Sequence, residues 1–326
     1  MKTKLLLAAA AIMAASCNQI QTVEEEVQNT KSNDTVKVTV NIKGAPVTRS
    51  TSIGSGNEDK ITDYQIFVFD ASSGAVESYA KDTATLNVST GAKDFVAMIN
   101  CPEDLKDVGT KAALMAKTSL LKNNSSDHFE MIGSKSVTIE GDTKVELEVE
   151  RMVSKVVIEK ISTAFTSAYL ASQTFTIKGI YLTNVVANNN YALNLGANSY
   201  EWFNKLKVDT TDSNKAKALT QDTGMTATVP YETAHSFYCY PNSCTDDSTA
   251  AEWAPRHTRL VIETTLGYYT IKLPVLERNK VYTVKELKIT KKGSLNPWED
   301  ITTYNATFEI TVAKWADGEI ESNVTI

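Results

Sequence analysis

One alternating segment near the amino terminus limits the folds that are open to this chain. Residues 36–42 read V-K-V-T-V-N-I, with a period of two that is typical of a half-buried strand. The apolar residues on its one face are Val36, Val38, Val40 and Ile42. Gly44 and Pro46 end the strand, and Arg49 lies at the start of a loose run rich in serine and glycine. We predict a buried first strand that a flexible, arginine-containing loop joins to the rest of the molecule.

Short strand patterns separated by turn residues recur along the whole chain. The strongest of them, residues 61–70, is apolar on both faces and is predicted in the middle of a sheet. Further strands are predicted at 75–80, 83–89, 94–100, 137–139, 144–149, 151–158, 173–186, 225–229, 236–240, 258–265 and 268–273. One helix is predicted over 103–121, and the asparagine-rich stretch 184–195 is predicted to be a loop. The pattern indicates an all-β protein built from two β-sandwiches.

The length of the chain allows two domains. With 326 residues it exceeds one small sandwich. A predicted hairpin around Gly141 closes the first domain near Glu150. We therefore expect an amino-terminal sandwich at 50–150, a carboxyl-terminal sandwich at 151–305, and one or more final strands at 306–326.

The amino terminus has the parts of a bacterial export signal. Lys2 and Lys4 form a positive region, and an apolar region follows at 5–15 that is too short to span a bilayer. Small residues then precede Cys17, as in a lipobox, where the cysteine is lipidated after cleavage. The alternative is an ordinary signal peptide cut near Ala15. We expect a lipoprotein signal peptide at 1–16, followed by a polar tether.

Charge and chemistry exclude several classes of function. The net charge is −6, and an acidic chain argues against nucleic acid as a partner. The three histidines, His128, His235 and His257, have no partners at metal-ligand spacing and are expected in loops or at the surface. No nucleophile elbow, phosphate loop or zinc-protease motif is present. We therefore expect no catalytic residues, no metal and no cofactor. The tryptophans are expected in the sandwich cores, with a sugar-binding surface as the alternative.

The remaining cysteines allow two interpretations. Cys239 and Cys244 flank a short turn and could form a disulfide bond if their geometry permits. Alternatively, these two residues and Cys101 are small buried hydrophobic residues. We favour the second interpretation.

Residues 268–300 carry a series of motifs in a specific order. A strand is followed by P-x-L-x-x-N-x-x-Y, an alternating strand, and I-T-x-x-G with a proline shortly after. The chain also carries I-F-V-F-D at 66–70, R-M-V-S-K-V-V-I at 151–158, F-Y-C-Y-P-N at 237–242 and V-A-K-W at 312–315. Over most of its length this set resembles the FimA-type fimbrillins of Bacteroidota, the type V pilins.

The resemblance implies two transthyretin-like Greek-key β-sandwich domains with one or two short helices. It implies a palmitoylated lipoprotein with the lipid on Cys17, anchored in the outer membrane. It also implies that a trypsin-like or Arg-specific protease removes the propeptide 17–49 by cutting between Arg49 and Ser50. The other arginines lie in or near predicted strands and hairpins and are expected to be less accessible: Arg151, Arg256, Arg259 and Arg278.

Donor-strand exchange, the mode of assembly that the resemblance implies, is physically reasonable for this sequence. Removal of the first strand leaves unpaired backbone groups and an apolar groove. A donor with a similar face lies at 319–326, and its alternate residues are Ile320, Ser322, Val324 and Ile326. Together with the apolar face at 306–312 it offers about six side chains, whose burial contributes roughly 9–18 kcal/mol before ordering costs. Because 306–313 also suits a last strand of the second domain, we assign the donor to 319–326.

These expectations define a structural subunit of an extracellular fimbrium. Its partners would be identical or related subunits, and host or bacterial surface ligands if it also contributes to adhesion. The alternative is a surface lipoprotein that binds glycans and does not polymerise.

Overall fold

The sequence pattern of short strands and frequent turns is realised as an almost entirely β structure. It is a computed structural model that describes residues 35–44, 58–209, 216–315 and 320–325. In the first half of these residues the strands are β1 (Thr35–Gly44), β2 (Tyr64–Asp70), β3 (Val76–Lys81), β4 (Thr85–Ser89), β5 (Gly91–Ile99), β6 (Thr118–Leu120), β7 (Met131–Ile139) and β8 (Thr143–Arg151). The predicted first strand and the strongly apolar strand after it are thus confirmed as β1 and β2.

The second half continues in the same way. Its strands are β9 (Ser154–Ile158), β10 (Ile161–Thr163), β11 (Thr176–Thr183), β12 (Val185–Val186), β13 (Asn188–Asn190), β14 (Trp202–Phe203), β15 (Gln221–Thr228), β16 (His235–Cys239), β17 (Arg259–Thr264), β18 (Gly267–Lys272), β19 (Lys280–Val284), β20 (Leu287–Ile289), β21 (Ala306–Thr307), β22 (Glu309–Lys314) and β23 (Ile320–Thr325). The α-helices of the described residues are short: α1 (Lys111–Met115), α2 (Ala168–Ala171) and α3 (Lys217–Thr220). Single 3-10 turns occupy Leu121–Asn123 and Ala197–Ser199. No helix in the described part of the chain is long and apolar enough to cross a membrane.

The first half forms one seven-stranded sheet. Its strand order is β3-β2-β5-β7-β8-β1-β4. A Cβ atom at Gly133 in β7 would lie 2.1 Å from the carbonyl oxygen of Glu148 in β8, so only glycine allows this close approach. The inner faces of β1, β4 and β8 share one core with those of β2, β5 and β7. The result is a sandwich around a common apolar interior.

The second half is built from smaller sheets. Four strands follow the order β15-β11-β17-β18, and five follow β16-β9-β19-β22-β23. Its core continues across the outer faces of β2 and β5, where Phe67 and Val96 pack in one cluster with Val156 and Leu182. The two halves therefore share an apolar core.

The predicted helix over 103–121 is wrong in extent. The only α-helix there is α1, and Thr110 begins it by accepting a hydrogen bond from the amide of Ala113 at 3.2 Å. Upstream, the buried side chain of Gln65 donates to the carbonyl of Glu103 and accepts from the amide of Leu105. These bonds satisfy backbone groups of the segment without a helix, and Leu105 still reaches the core.

The asparagine-rich stretch 184–195 is also not a simple loop. It contains β12 and β13, and β13 pairs antiparallel with β6. Asn188, Asn189 and Asn190 are buried. The side chain of Asn188 accepts from the amide of Glu201 at 2.7 Å, so the polar residues satisfy backbone groups inside the fold.

Candidate functional site

Strand β1 lies inside its sheet although it is the first strand of the described residues. It pairs antiparallel with β4 through five residue pairs and parallel with β8 through seven. Within the described chain β4 is the edge strand and has no other neighbour in the sheet. On its far side, β8 pairs with β7 at two positions, Arg151 and Glu150. Both β4 and most of β8 therefore depend on β1 for main-chain hydrogen bonds.

The inner face of β1 fills the core of the first sandwich. Val38 is 0% exposed and Val40 is 2% exposed, while Val36 and Ile42 are half-buried. The core residues around this face are Ile66, Val68, Leu86, Val88, Phe95, Ala97, Ile99, Met131, Ile139, Val145, Leu147 and Val149. Burial of Val38 and Val40 alone contributes roughly 3–6 kcal/mol. Departure of β1 would leave an apolar groove between β4 and β8.

The outer face of β1 contributes much less. The ammonium group of Lys43 lies 2.8 Å from the carboxylate of Glu146, and both side chains are exposed. The hydrogen bond from Lys43 lowers the pKa of Glu146, and the same bond raises the pKa of Lys43. An exposed pair of this kind is a weak contact because water screens it. The apolar face and the main chain therefore hold β1 in place.

The proposed donor segment lies at the edge of another sheet. Strand β23 pairs antiparallel with β22 through five residue pairs and ends the five-stranded sheet of the second half. An edge strand can leave after losing hydrogen bonds on one side only. Ile326, the last residue assigned to the donor, lies outside the described residues.

The later arginines are predicted to be less accessible, and three of them are buried in the structure. Arg151, Arg256 and Arg259 are at most 2% exposed. Arg278 is half-buried and pairs with Glu150 at 2.9 Å. The lipidation residue Cys17 and the cleavage bond between Arg49 and Ser50 lie outside the described residues, so both assignments stay predictions.

Each fully buried arginine has partners that keep it in place. The guanidinium of Arg256 donates to four backbone carbonyls of its own loop, those of Ser248, Ala250, Glu252 and Ala254. Arg259 forms a bidentate pair with Asp300 at 2.6 and 3.1 Å. A protease cannot bind either side chain without local unfolding.

No protein-family model matches the sequence, and no functionally curated protein is detectably similar to it. Solved structures do match. Fimbrilin (FimA) of Porphyromonas gingivalis is 14% identical with a TM-score of 0.61, and the match covers 87% of this chain and 98% of that one. This chain has the fimbrillin fold. The resemblance found in the sequence motifs is thereby confirmed at the level of the fold.

Two further structures share the fimbrillin fold with this chain. A provisionally assigned cell adhesion protein of Bacteroides eggerthii is 16% identical with a TM-score of 0.64, covering 86% of this chain and 96% of that one. The tip fimbrial protein Mfa3 of Porphyromonas gingivalis, solved with a C-terminal truncation, is 13% identical with a TM-score of 0.53, covering 86% and 100%. At such identities the likeness concerns the fold alone.

Within this fimbrillin fold, the expected placement of the histidines needs one correction. His235 lies in β16 rather than in a loop, and it is half-buried. Its Nε2 atom lies 2.7 Å from the hydroxyl of Tyr231, and its Nδ1 atom lies 3.4 Å from the carboxylate of Asp222. Burial lowers the pKa of His235, so the ring is neutral at neutral pH. Among the described residues, no group of histidine, cysteine and acidic side chains has the arrangement of a metal site.

The cysteines agree with the favoured interpretation. Cys101, Cys239 and Cys244 are buried free thiols. The sulfur atom of Cys101 lies 3.2 Å from the hydroxyl of Tyr191. Burial raises the pKa of Cys239 to about 12, which keeps that thiol protonated and unreactive.

Sequence reasoning missed a cluster around Glu58, the first described residue after 45–57. The carboxylate of Glu58 contacts Lys155, Tyr238 and Trp315, and its backbone carbonyl accepts from Arg151. We call these five residues the Glu58 cluster. Four of them lie in motifs of the fimbrillin resemblance: Arg151 and Lys155 in R-M-V-S-K-V-V-I, Tyr238 in F-Y-C-Y-P-N and Trp315 in V-A-K-W. These motifs do not show that the four residues meet at Glu58.

Proposed function

We propose that this protein is a structural subunit of a surface fimbria that polymerises by donor-strand exchange. One observation carries the proposal: β1 is an interior strand on which both β4 and β8 depend. Strand β1 precedes the rest of the molecule, and the segment that joins the two contains Arg49. A strand in this position is suited to removal and replacement. The fimbrillin fold supports the same role.

In this proposal the subunit is exported as a lipoprotein with Cys17 as its lipid site and the outer membrane as its first location. A trypsin-like or Arg-specific protease then cuts between Arg49 and Ser50. The body that remains consists of an amino-terminal domain at 50–150, a carboxyl-terminal domain at 151–305 and the final strands at 306–326. Segment 319–326 of another subunit enters the groove between β4 and β8. The extracellular fibre would display the subunits, and adhesion to host or bacterial surfaces is a further role that suits such display.

The cleavage step is tested by replacing Arg49 with alanine in the lipidated precursor. Trypsin should trim the wild-type precursor to a body that begins at Ser50 and forms SDS-resistant ladders. Arg49→Ala should stay monomeric because β1 cannot leave. Arg278→Ala is the matched control, because Arg278 is the most exposed of the described arginines and should not affect processing. Ladders formed by the Arg49→Ala protein would move the cleavage site elsewhere.

The donor assignment is tested by deleting residues 319–326. The deletion removes only the edge strand β23, so the subunit should fold and be trimmed at the wild-type rate. Elongation should stop, because no strand is available to fill the next groove. Unimpaired ladders would show that another segment is the donor.

The rival function is glycan binding without polymerisation. Half-buried aromatic rings support a surface for it, since Trp202 lies 5.4 Å from Trp253 and 5.6 Å from Tyr200 between ring centres. The trypsin experiment separates the two functions. A glycan-binding lipoprotein should stay monomeric after trimming, whereas a fimbrial subunit should polymerise.

A further inference from the structure

The Glu58 carboxylate is saturated by donors from three different parts of the chain. Its Oε1 atom accepts from Lys155 in β9 at 2.8 Å and from the hydroxyl of Tyr238 in β16. Its Oε2 atom accepts from the indole nitrogen of Trp315 at 2.9 Å and again from Lys155 at 3.1 Å. The side chains of Lys155 and Glu58 are only 8% and 13% exposed. Charge-assisted hydrogen bonds in such a place are among the stronger polar contacts in proteins.

Trp315 makes further contacts with several residues of the body. Its ring stacks on Tyr238 at 5.8 Å and meets the edge of Phe129 at 5.7 Å between ring centres. The guanidinium of Arg151 lies 4.6 Å from the centre of the indole. The backbone amide of Trp315 donates to the carbonyl of Asn279 at 2.9 Å. Trp315 is therefore fixed to the body although the chain continues to β23 only five positions later.

The segment that follows Glu58 is also fastened, although it has no regular secondary structure. The buried side chain of Asn100 donates to the carbonyl of Lys60 at 2.8 Å and accepts from the amide of Thr62 at 2.9 Å. The backbone amide of Asn100 donates to the carbonyl of Asp63 at 3.1 Å. Residues 58–63 therefore lie against the body and are held there by hydrogen bonds to Asn100.

We propose that Glu58 is a positioning residue that marks both boundaries of the permanent subunit body. One carboxylate joins Glu58, the first described residue after the removable segment, to Trp315, the last described residue before the proposed donor. Trimming and strand exchange are thereby confined to residues outside 58–315, and β1 and β23 can leave without loosening β2 or β22. This inference rests on the proposed assembly by strand exchange.

Two exposed lysines make the inference testable. Lys60 follows Glu58 by two positions and Lys314 directly precedes Trp315, so trypsin has a cleavage residue at each boundary. Both side chains are exposed, but the backbone around them is held by the contacts described above. A protease needs an extended, locally unfolded segment to cut. Protection of these two bonds from trypsin therefore shows whether the Glu58 cluster is intact.

The experiment is limited trypsin digestion of the full-length precursor, followed over time by intact mass. Glu58→Gln removes the charge, and Trp315→Phe keeps the ring but removes the indole donor. In the wild type, cleavage should occur after Arg49, with the bonds after Lys60 and Lys314 protected. In both variants, cleavage after Lys60 and Lys314 should become about 10- to 100-fold faster, as expected when a charge-assisted hydrogen bond that closes a local opening is lost.

Asp300→Asn provides the matched control, because it breaks another largely buried ion pair, with Arg259, at neither boundary. Its thermal stability should fall without new cleavage after Lys60 or Lys314. The inference is overturned if Glu58→Gln and Trp315→Phe both keep wild-type protection at these bonds, or if Asp300→Asn loses it equally. The measurement needs no polymer. Absence of ladders, or of the cut after Arg49, would therefore count against the proposed function and not against the role of the Glu58 cluster.

Discussion

Glu130 is a buried acid with an incomplete set of hydrogen bonds. It is 0% exposed, its Oε2 atom accepts from the hydroxyl of Tyr191 at 2.6 Å, and its Oε1 atom has no hydrogen-bond partner. Burial raises the pKa of Glu130 from its usual 4.5 to about 7, against the hydrogen bond from Tyr191, which lowers it. Tyr191 also lines a cavity of about 230 Å³ that reaches Arg278. The folded protein therefore favours the protonated form of Glu130.

This raised pKa predicts a pH dependence of stability. The folded state holds a proton on Glu130 between pH 4.5 and 7 that the unfolded chain releases, so stability falls as pH rises through this window. The difference corresponds to about 3 kcal/mol above pH 7. Glu130→Gln should remove this cost and raise the Tm at pH 8 by several degrees, with little change near pH 4.5. Thermal unfolding by circular dichroism at both pH values measures it.

Glu140→Gln is the control for the pH prediction, because Glu140 is exposed. Its Tm should follow the wild type at both pH values. If Glu130→Gln and Glu140→Gln behave alike, the carboxylate of Glu130 is not the group that titrates.

Among the strands, the depth of each β1 position constrains how a donor can lie in the groove. Val38 and Val40 occupy the fully buried positions, and Val36 and Ile42 occupy the half-buried ones. Ser322 is the one polar residue on the donor face, and a buried hydroxyl without a partner costs about 1–3 kcal/mol. Ser322 should therefore take a half-buried position.

With Ser322 at one half-buried position, Val324 and Ile326 fill the two fully buried positions, which we call the deep positions, whichever way the donor runs. With Ser322 at the other half-buried position, Gly318 would lie in a deep position and leave a cavity. We expect Val324→Asp to abolish elongation, while Ser322→Val leaves it unchanged or improves it. Ladder formation by trimmed subunits measures both. Normal ladders from Val324→Asp would contradict this register.

The direction of the donor strand in the groove can be determined from an engineered disulfide bond between subunits. Val38 pairs with Leu86 in β4, so the donor residue that replaces Val38 will lie opposite Leu86. Val324→Cys should cross-link to Leu86→Cys if the donor runs as β1 does, and Ile326→Cys should do so if it runs the other way. The native thiols described above are buried and give little background.

For the molecule as a whole, the proposed trimming would leave the subunit incomplete. Without β1, the first sandwich loses main-chain partners on β4 and β8, while the core shared with the second half stays in place. We predict that a synthetic peptide of residues 319–326 raises the Tm of trimmed subunit lacking its own tail. At a hundredfold excess over its Kd it contributes about 2.7 kcal/mol, or roughly 5 °C.

The matched control is the same peptide with Val324 replaced by aspartate. It has the same length and hydrogen-bonding backbone but cannot fill a deep position. Differential scanning fluorimetry should show a shift for the wild-type peptide only. Equal shifts would indicate non-specific binding. No shift for either peptide would show that segment 319–326 does not bind the groove.

Local patterns in the sequence determined the elements. The alternation in 36–42 has a period that only a strand with one buried face satisfies, and β1 has that form. The same reasoning failed at 103–121, because the helical spacing of Leu105 and Val108 competes with hydrogen bonds from Gln65, which is distant in the sequence. Periodicity reports on a segment and its burial, but not on a partner that folding brings to it.

Tertiary structure alone decided what those elements can do. No pattern in 36–42 shows that β1 lies between β4 and β8, since strand order depends on contacts between segments that are far apart in the sequence. The same holds for Glu58, whose partners are Lys155 in β9, Tyr238 in β16 and Trp315 directly after β22. The sequence determined which segments form strands and which faces are apolar, because these depend on near neighbours. The position of a strand in its sheet and the partners of a charge depend on the closed fold, because only there do distant segments meet.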